Sequence, residues 1–194
     1  MFIEPVSDAE LELLGVDVTQ MRKESGYVAN SLKVAARRPD LMRAVSNLTN
    51  AVMNGADIAP ELRTMVGYMA SRAAGCTYCQ AHTSHNSHAR GVASEKIQKM
   101  WEFERSHLFD AAERAALAFA RDAAQQPNAV TAEHYCELRK HYSEEQIVDL
   151  LAIVSLFGFF NRWNDSLGTE LESKPKEFAL SNLTKSGWVA GKHE

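Results

Sequence analysis

Apolar residues along this chain recur three and four positions apart. Leu41, Val45, Leu48 and Val52 follow Pro39 in that spacing, and Leu62, Val66 and Met69 follow Pro60, so each set lies on one stripe of a helix. A proline suits the first turn, because its missing N–H would have been unpaired there anyway. Ser7 with Glu10, Asp110 with Glu113 and Ser143 with Gln146 have the spacing of capping boxes, in which each side chain satisfies the other's free N–H. Thr131 and Ser94 are further N-cap candidates. These signals predict helices over 7–14, 39–54, 60–74, 76–90, 94–103, 110–125, 131–141 and 143–168, with Gly15, Gly55, Gly75 and Gly91 as stops. No stretch alternates apolar and polar residues with β-branched enrichment, so the expected fold class is all-α.

The most apolar run, Ile147 to Phe160, is broken by Asp149 and Ser155 and falls short of the about 18 residues a membrane span needs. It reads as a core helix. The 194 residues suit one domain over 1–172, followed by a polar tail over 173–194 that carries Pro175, Gly187 and Gly191. With 45% hydrophobic and 24% charged residues, the composition is that of a globular chain. The net charge of −4 and the scattered basic residues leave no phosphate-tracking stripe, so neither nucleic acid nor membrane is an expected partner. The N-terminus lacks a basic segment leading into an apolar one, which places the chain in the cytoplasm as an expectation.

Three cysteines cannot build a disulfide framework, and in a reducing compartment a close pair is more often redox-active or metal-binding. Cys76 and Cys79 stand two residues apart where one helix ends at Gly75 and the next begins. Thiols at a helix start can close a disulfide with little rearrangement, and the first-turn N–H groups favour thiolate, the nucleophilic form. The same spacing also makes half of many zinc sites. Cys76, Cys79, His82, His85 and His88 recur every third residue, but each step of three slips by about 60° around a helix, so one ion cannot collect all five. His82 shares a face with Cys79 and is the candidate to exchange its proton; His85 and His88 read as surface residues. Cys136 reads as a small buried hydrophobe. Asn161, Arg162, Trp163, Asn164 and Asp165 follow the apolar helix and either line a pocket or tie helix ends together.

The stretch Glu61 to Gly91, with Ser71-Arg72-Ala73-Ala74-Gly75-Cys76-Thr77-Tyr78-Cys79-Gln80-Ala81-His82 at its centre, resembles the core of the carboxymuconolactone decarboxylase and alkylhydroperoxidase D superfamily, most of all its peroxidase-related branch. Gly26-Tyr27-Val28-Ala29-Asn30, Arg38-Pro39 and Asn161 to Asp165 extend the likeness over most of 1–172. The resemblance implies a homo-oligomer, from dimer to hexamer, that reduces a small hydroperoxide at the expense of a dithiol or thioredoxin-like donor and needs no cofactor or metal. It assigns attack to Cys79 and disulfide closure to Cys76. The family's histidine falls at Thr83 and its relay glutamate at Thr64, so His82 and Glu61 are expected in those roles. Two alternatives are a decarboxylase of the same superfamily, whose chemistry does not depend on the cysteine pair, and a zinc-bound or purely structural oligomeric module.

Overall fold

Three capping boxes form as their spacing predicts, at Ser7, Asp110 and Ser143. At Thr131 a histidine takes the usual glutamate's part, His134 Nδ1 accepting the Thr131 N–H at 3.1 Å. Ser94 does not cap: Ala93 holds that position without a side-chain bond and Ser94 becomes the first helical residue, since burial of Val92 and Ile97 sets the phase of this short helix.

The computed structural model describes residues 1–194 and contains no strand. Its helices are α1 (Asp8–Leu13), α2 (Val18–Ser25), α3 (Asn30–Ala35), α4 (Pro39–Asn54), α5 (Pro60–Ala73), α6 (Thr77–Ala89), α7 (Ser94–Gln98), α8 (Ala111–Ala123), α9 (Ala132–Leu138), α10 (Glu144–Leu167) and α11 (Ser173–Asn182). Helix α5 is the axis of the molecule, buried from Thr64 through Ser71 and packed on α4, α6, α8 and α10. Gly67 permits its crossing with α10, because a Cβ there would stand 2.4 Å from Phe157 Cε2. A second apolar cluster, Leu11, Val18, Val28, Ala35, Ala36 and Met42, joins the N-terminal helices and reaches Trp163.

Helix α10 is long and apolar enough, by length and composition, to cross a membrane. Its Ile147, Leu150, Ile153 and Leu156 are nevertheless buried in the main core, and its Asp149 accepts the Asp57 N–H at 2.9 Å.

Residues 173–194, expected as a polar tail, pack on the rest of the chain. Helix α11 packs against α6, and Ala179, Leu183, Trp188 and Ala190 enter the main core. Trp188 Nε1 donates to the Thr77 carbonyl at 3.0 Å and Thr77 Oγ1 to the Ala190 carbonyl at 3.2 Å. The polar composition concealed an apolar face on a short helix.

Candidate redox site

The turn between α5 and α6 depends on Gly75, whose φ of +80° is costly for any residue with a Cβ. It lets the Cys76 N–H reach back to the Ser71 carbonyl at 3.1 Å and leaves Cys76 extended as the N-cap of α6. An N-cap side chain meets the free N–H groups of the first turn. Here that side chain is a thiol, and its Sγ accepts the Cys79 N–H at 3.4 Å. Both cysteines are reduced and buried, at 1% and 3% exposure.

Burial pushes the Cys79 thiol well above its ordinary range, and a charge on neighbouring Cys76 pushes it further. Cys76 shifts the other way. The neighbouring Cys79 side chain lowers it most, and the Cys79 and Tyr78 N–H groups help overcome burial and the nearby Asp165. The surroundings therefore favour a negative charge on Cys76 over one on Cys79. Asn164 Nδ2 approaches Cys79 Sγ at 3.6 Å from α10.

His82 does not point at either sulfur. Its Nε2 stands 2.6 Å from Glu172 Oε2 and its Nδ1 3.2 Å from Tyr27 Oη, so both ring nitrogens are engaged. Its ring stacks on Tyr78 at 4.2 Å between centroids, and Tyr78 Oη donates to Glu172 Oε1 at 3.0 Å. Burial raises the Glu172 carboxyl, but His82 and the Asn30 N–H outweigh it and hold the group below its ordinary value. Burial and Glu172 together push Tyr78 and Tyr27 upward. This network closes around Tyr78, one residue before Cys79.

The expectation for Glu61 is corrected. It is exposed in the first turn of α5. That helix rises about 1.5 Å per residue, which puts Glu61 about 18 Å from the end that leads into Cys76. The carboxylate beside His82 is Glu172, which precedes α11; nothing local in the sequence marks a partner 90 residues from His82. His85 and His88 face Phe178 of α11 rather than the cysteines, at 6.0 and 5.1 Å between ring centroids. Cys136 is exposed rather than buried, because α9 turns Leu138 inward and Cys136 lies two residues, about 200°, away around the helix. Asn161, Arg162 and Asp165 line a cleft of about 1030 Å³ that also includes Ala73 and Ala74, directly before the cysteine turn.

Residues 39–122 match the carboxymuconolactone decarboxylase family. The debrominase Bmp8 is 31% identical over 92% of this chain and 96% of its own, with a TM-score of 0.84. A cysteine-to-alanine variant of that debrominase, solved with 2,3,4-tribromopyrrole, superposes with a TM-score of 0.86. The uncharacterized protein YdfG of Bacillus subtilis (strain 168) is 29% identical over 58% of this chain and 77% of its own. An uncharacterized peroxidase-related protein with an alkylhydroperoxidase core, from Ralstonia eutropha JMP134, shares the fold at 22% identity, 90% coverage of each chain and a TM-score of 0.75. The match places residues 39–122 in the carboxymuconolactone decarboxylase family, and the all-helical architecture with the cysteine turn at its centre is the alkylhydroperoxidase D-like fold.

Proposed function

We propose that this protein is a thiol-dependent reductase that converts organic hydroperoxides to alcohols through a Cys76–Cys79 disulfide cycle. The observation that carries the reading is the buried pair itself, with the Cys76 sulfur accepting the first-turn N–H of Cys79 in α6. A thiolate held this way is a nucleophile, whereas an isolated buried thiol is inert. The resemblance assigns attack to Cys79; the electrostatics favour the reverse order, and Cys76 is also the sulfur beside the Asp165 cleft.

In the first step Cys76 Sγ bonds to the terminal peroxide oxygen as the O–O bond breaks, and the alkoxide leaves and is protonated to the alcohol. In the second, the Cys79 sulfur attacks the sulfenic sulfur. The S–O bond breaks, and hydroxide departs with the Cys79 proton as water. An external dithiol, either small or thioredoxin-like, then returns the pair to thiols by exchange. This cycle belongs in a reducing compartment, and the cytoplasm is its proposed location. Exposed Val148, Leu151 and Phe159 along α10 support a homo-oligomer as the working form.

The test is stopped-flow reaction of the reduced protein with cumene hydroperoxide. Cys76→Ser should lose the fast phase. Cys79→Ser should react once and stop as a sulfenic acid that dimedone traps. A fast phase that survives Cys76→Ser and disappears in Cys79→Ser would restore the order implied by the resemblance; survival in both variants would end the redox reading.

A second substrate class has its own support in the 31% identity to a debrominase. The same two thiols can supply the two electrons that replace a carbon–bromine bond by carbon–hydrogen, releasing bromide and leaving the disulfide. Bromide release from a brominated pyrrole, measured beside peroxide consumption with equal enzyme and dithiol, decides between the two.

A further inference from the structure

The C-terminal segment brings a buried imidazole to the cysteine turn. His193 is 1% exposed, although it lies in a short 3-10 turn over Gly191–His193. Its backbone carbonyl accepts the Leu171 N–H at 2.9 Å, and its ring Nδ1 stands 2.7 Å from the Thr169 carbonyl oxygen. A carbonyl can only accept, so Nδ1 must carry the hydrogen. A neutral ring then has its lone pair on Nε2. That atom is buried with no hydrogen-bond partner, which is a costly state unless the group has work to do. Cys76 Sγ, an Asp165 carboxylate oxygen and a His193 ring nitrogen all lie within 4.8 Å of one another. His193 Nε2 is 3.6 Å from Asp165 Oδ1.

We infer that His193 is the base for Cys76: its Nε2 takes the thiol proton, Asp165 supports the imidazolium that forms, and Thr169 fixes the tautomer. This rests on the redox role proposed above for Cys76. The proton leaves Sγ for Nε2 as the thiolate forms, and it passes to the alkoxide when the peroxide bond breaks. Burial lowers the pKa of His193 against the opposing pull of the Thr169 carbonyl and Asp165, which favours the neutral ring. The groups facing it are Asp165 from α10, Lys192 beside it in the same turn, Cys76 at the start of α6 and the Tyr78 ring at 5.8 Å, behind which stand Glu172 and His82. Lys192 pairs with Asp165 at 2.9 Å and moderates its charge. A histidine in such an arrangement does for a thiol what a base does for any activated nucleophile. His82, the histidine nearest in sequence, is committed to Glu172 and Tyr27 instead.

Alkylation tests this without reference to peroxide. The reduced full-length protein is treated with iodoacetamide from pH 5 to 10, and modification at Cys76 is followed by tandem mass spectrometry. His193→Asn keeps a side-chain N–H for Thr169 but offers no base. It should raise the alkylation midpoint of Cys76 by a unit or more, so the rate at pH 7 falls about tenfold. Trp188→Ala loosens the same segment without touching the imidazole and should raise the plateau rate while leaving the midpoint in place. Imidazole added to His193→Gly should recover part of the rate at pH 7. An unchanged midpoint in a folded His193→Asn protein overturns the proposal. So does about one equivalent of zinc in the purified wild type that disappears in His193→Asn, because the three side chains would then be a metal site. Loss of peroxide turnover in the wild type with the midpoint shift intact would sink the substrate assignment and leave the base in place.

Discussion

At the scale of single residues, the site divides into two proton systems on either side of Tyr78. One is the cysteine pair, in which Cys76 is the sulfur better placed to carry charge; the other is Glu172 with His82, Tyr78 and Tyr27. Glu172 anchors the second system, and its depressed pKa makes it a source of pH-dependent stability. A carboxyl whose folded pKa lies below its ordinary 4.5 stabilises fully above that value and loses the contribution as pH falls through the lower folded value. Hydrogen bonds to a charged group are worth roughly 1.5–3 kcal/mol. Glu172→Gln should therefore lose about 2 kcal/mol at pH 7, read from urea unfolding, and the gap to wild type should close as pH falls below 4.5. A gap of constant size down to pH 3 would show that Glu172 acts through its shape rather than its charge.

At the scale of elements, the position of the cysteine turn depends on how closely α5 approaches α10. Phe157 occupies the space a side chain would need at Gly67, since a Cβ there would meet its ring at 2.4 to 2.9 Å. Overpacking a core typically costs about 1–3 kcal/mol, while alanine in place of a helical glycine returns about 1 kcal/mol. Gly67→Ala should thus be destabilising by up to about 2 kcal/mol in urea. In a double-mutant cycle, Phe157→Ala should relieve most of that cost. Additive costs would mean that the two helices do not meet through this contact.

The elements also mark how far the sequence could be read. Helix starts with a side chain of their own, at Ser7, Pro39, Pro60, Asp110 and Ser143, were legible because the signal and the structure it makes are a few residues apart. The cysteine turn was legible for the same reason, as Gly75, Cys76 and Cys79 act locally. Helices α2 and α3 carried only weak signals, and α11 was hidden by a lysine-rich sequence whose inward residues are Pro175 and Ala179. The partners of the site were illegible for a deeper reason. Glu172 reaches His82 across 90 positions, and His193 reaches the cysteine turn by way of Thr169 and Leu171. One sequence carries the residue types but not the closure of the chain that makes them neighbours. Glu61 was the nearest carboxylate by helical phase, and phase says nothing about which end of a long helix faces the site.

At the scale of the whole molecule, burial is uneven around α10. Its inner face is packed against α4, α5, α6 and α8, but Val148, Leu151 and Phe159 point outward in one stripe, Val148 with 64% of its surface free. These positions are spaced by three and eight residues and run about 17 Å along the helix. Near Phe159 the stripe continues into an apolar groove of about 330 Å³ lined by Leu41, Val45 and Trp163. An exposed apolar strip with a groove at its end is the kind of surface that subunits cover. Charge placed there costs an isolated protomer little, because surface substitutions usually stay within about 0.5 kcal/mol. In an interface the same charge is buried without a partner, which costs several kcal/mol. Val148→Glu combined with Phe159→Glu should therefore lower the mass seen by light scattering after size exclusion, with helical circular dichroism unchanged. A mass equal to the wild type's would mean that this strip is not a subunit contact. The cysteine pair and the Glu172 network are completed by residues of one chain, so the dissociated protomer should still react once with peroxide.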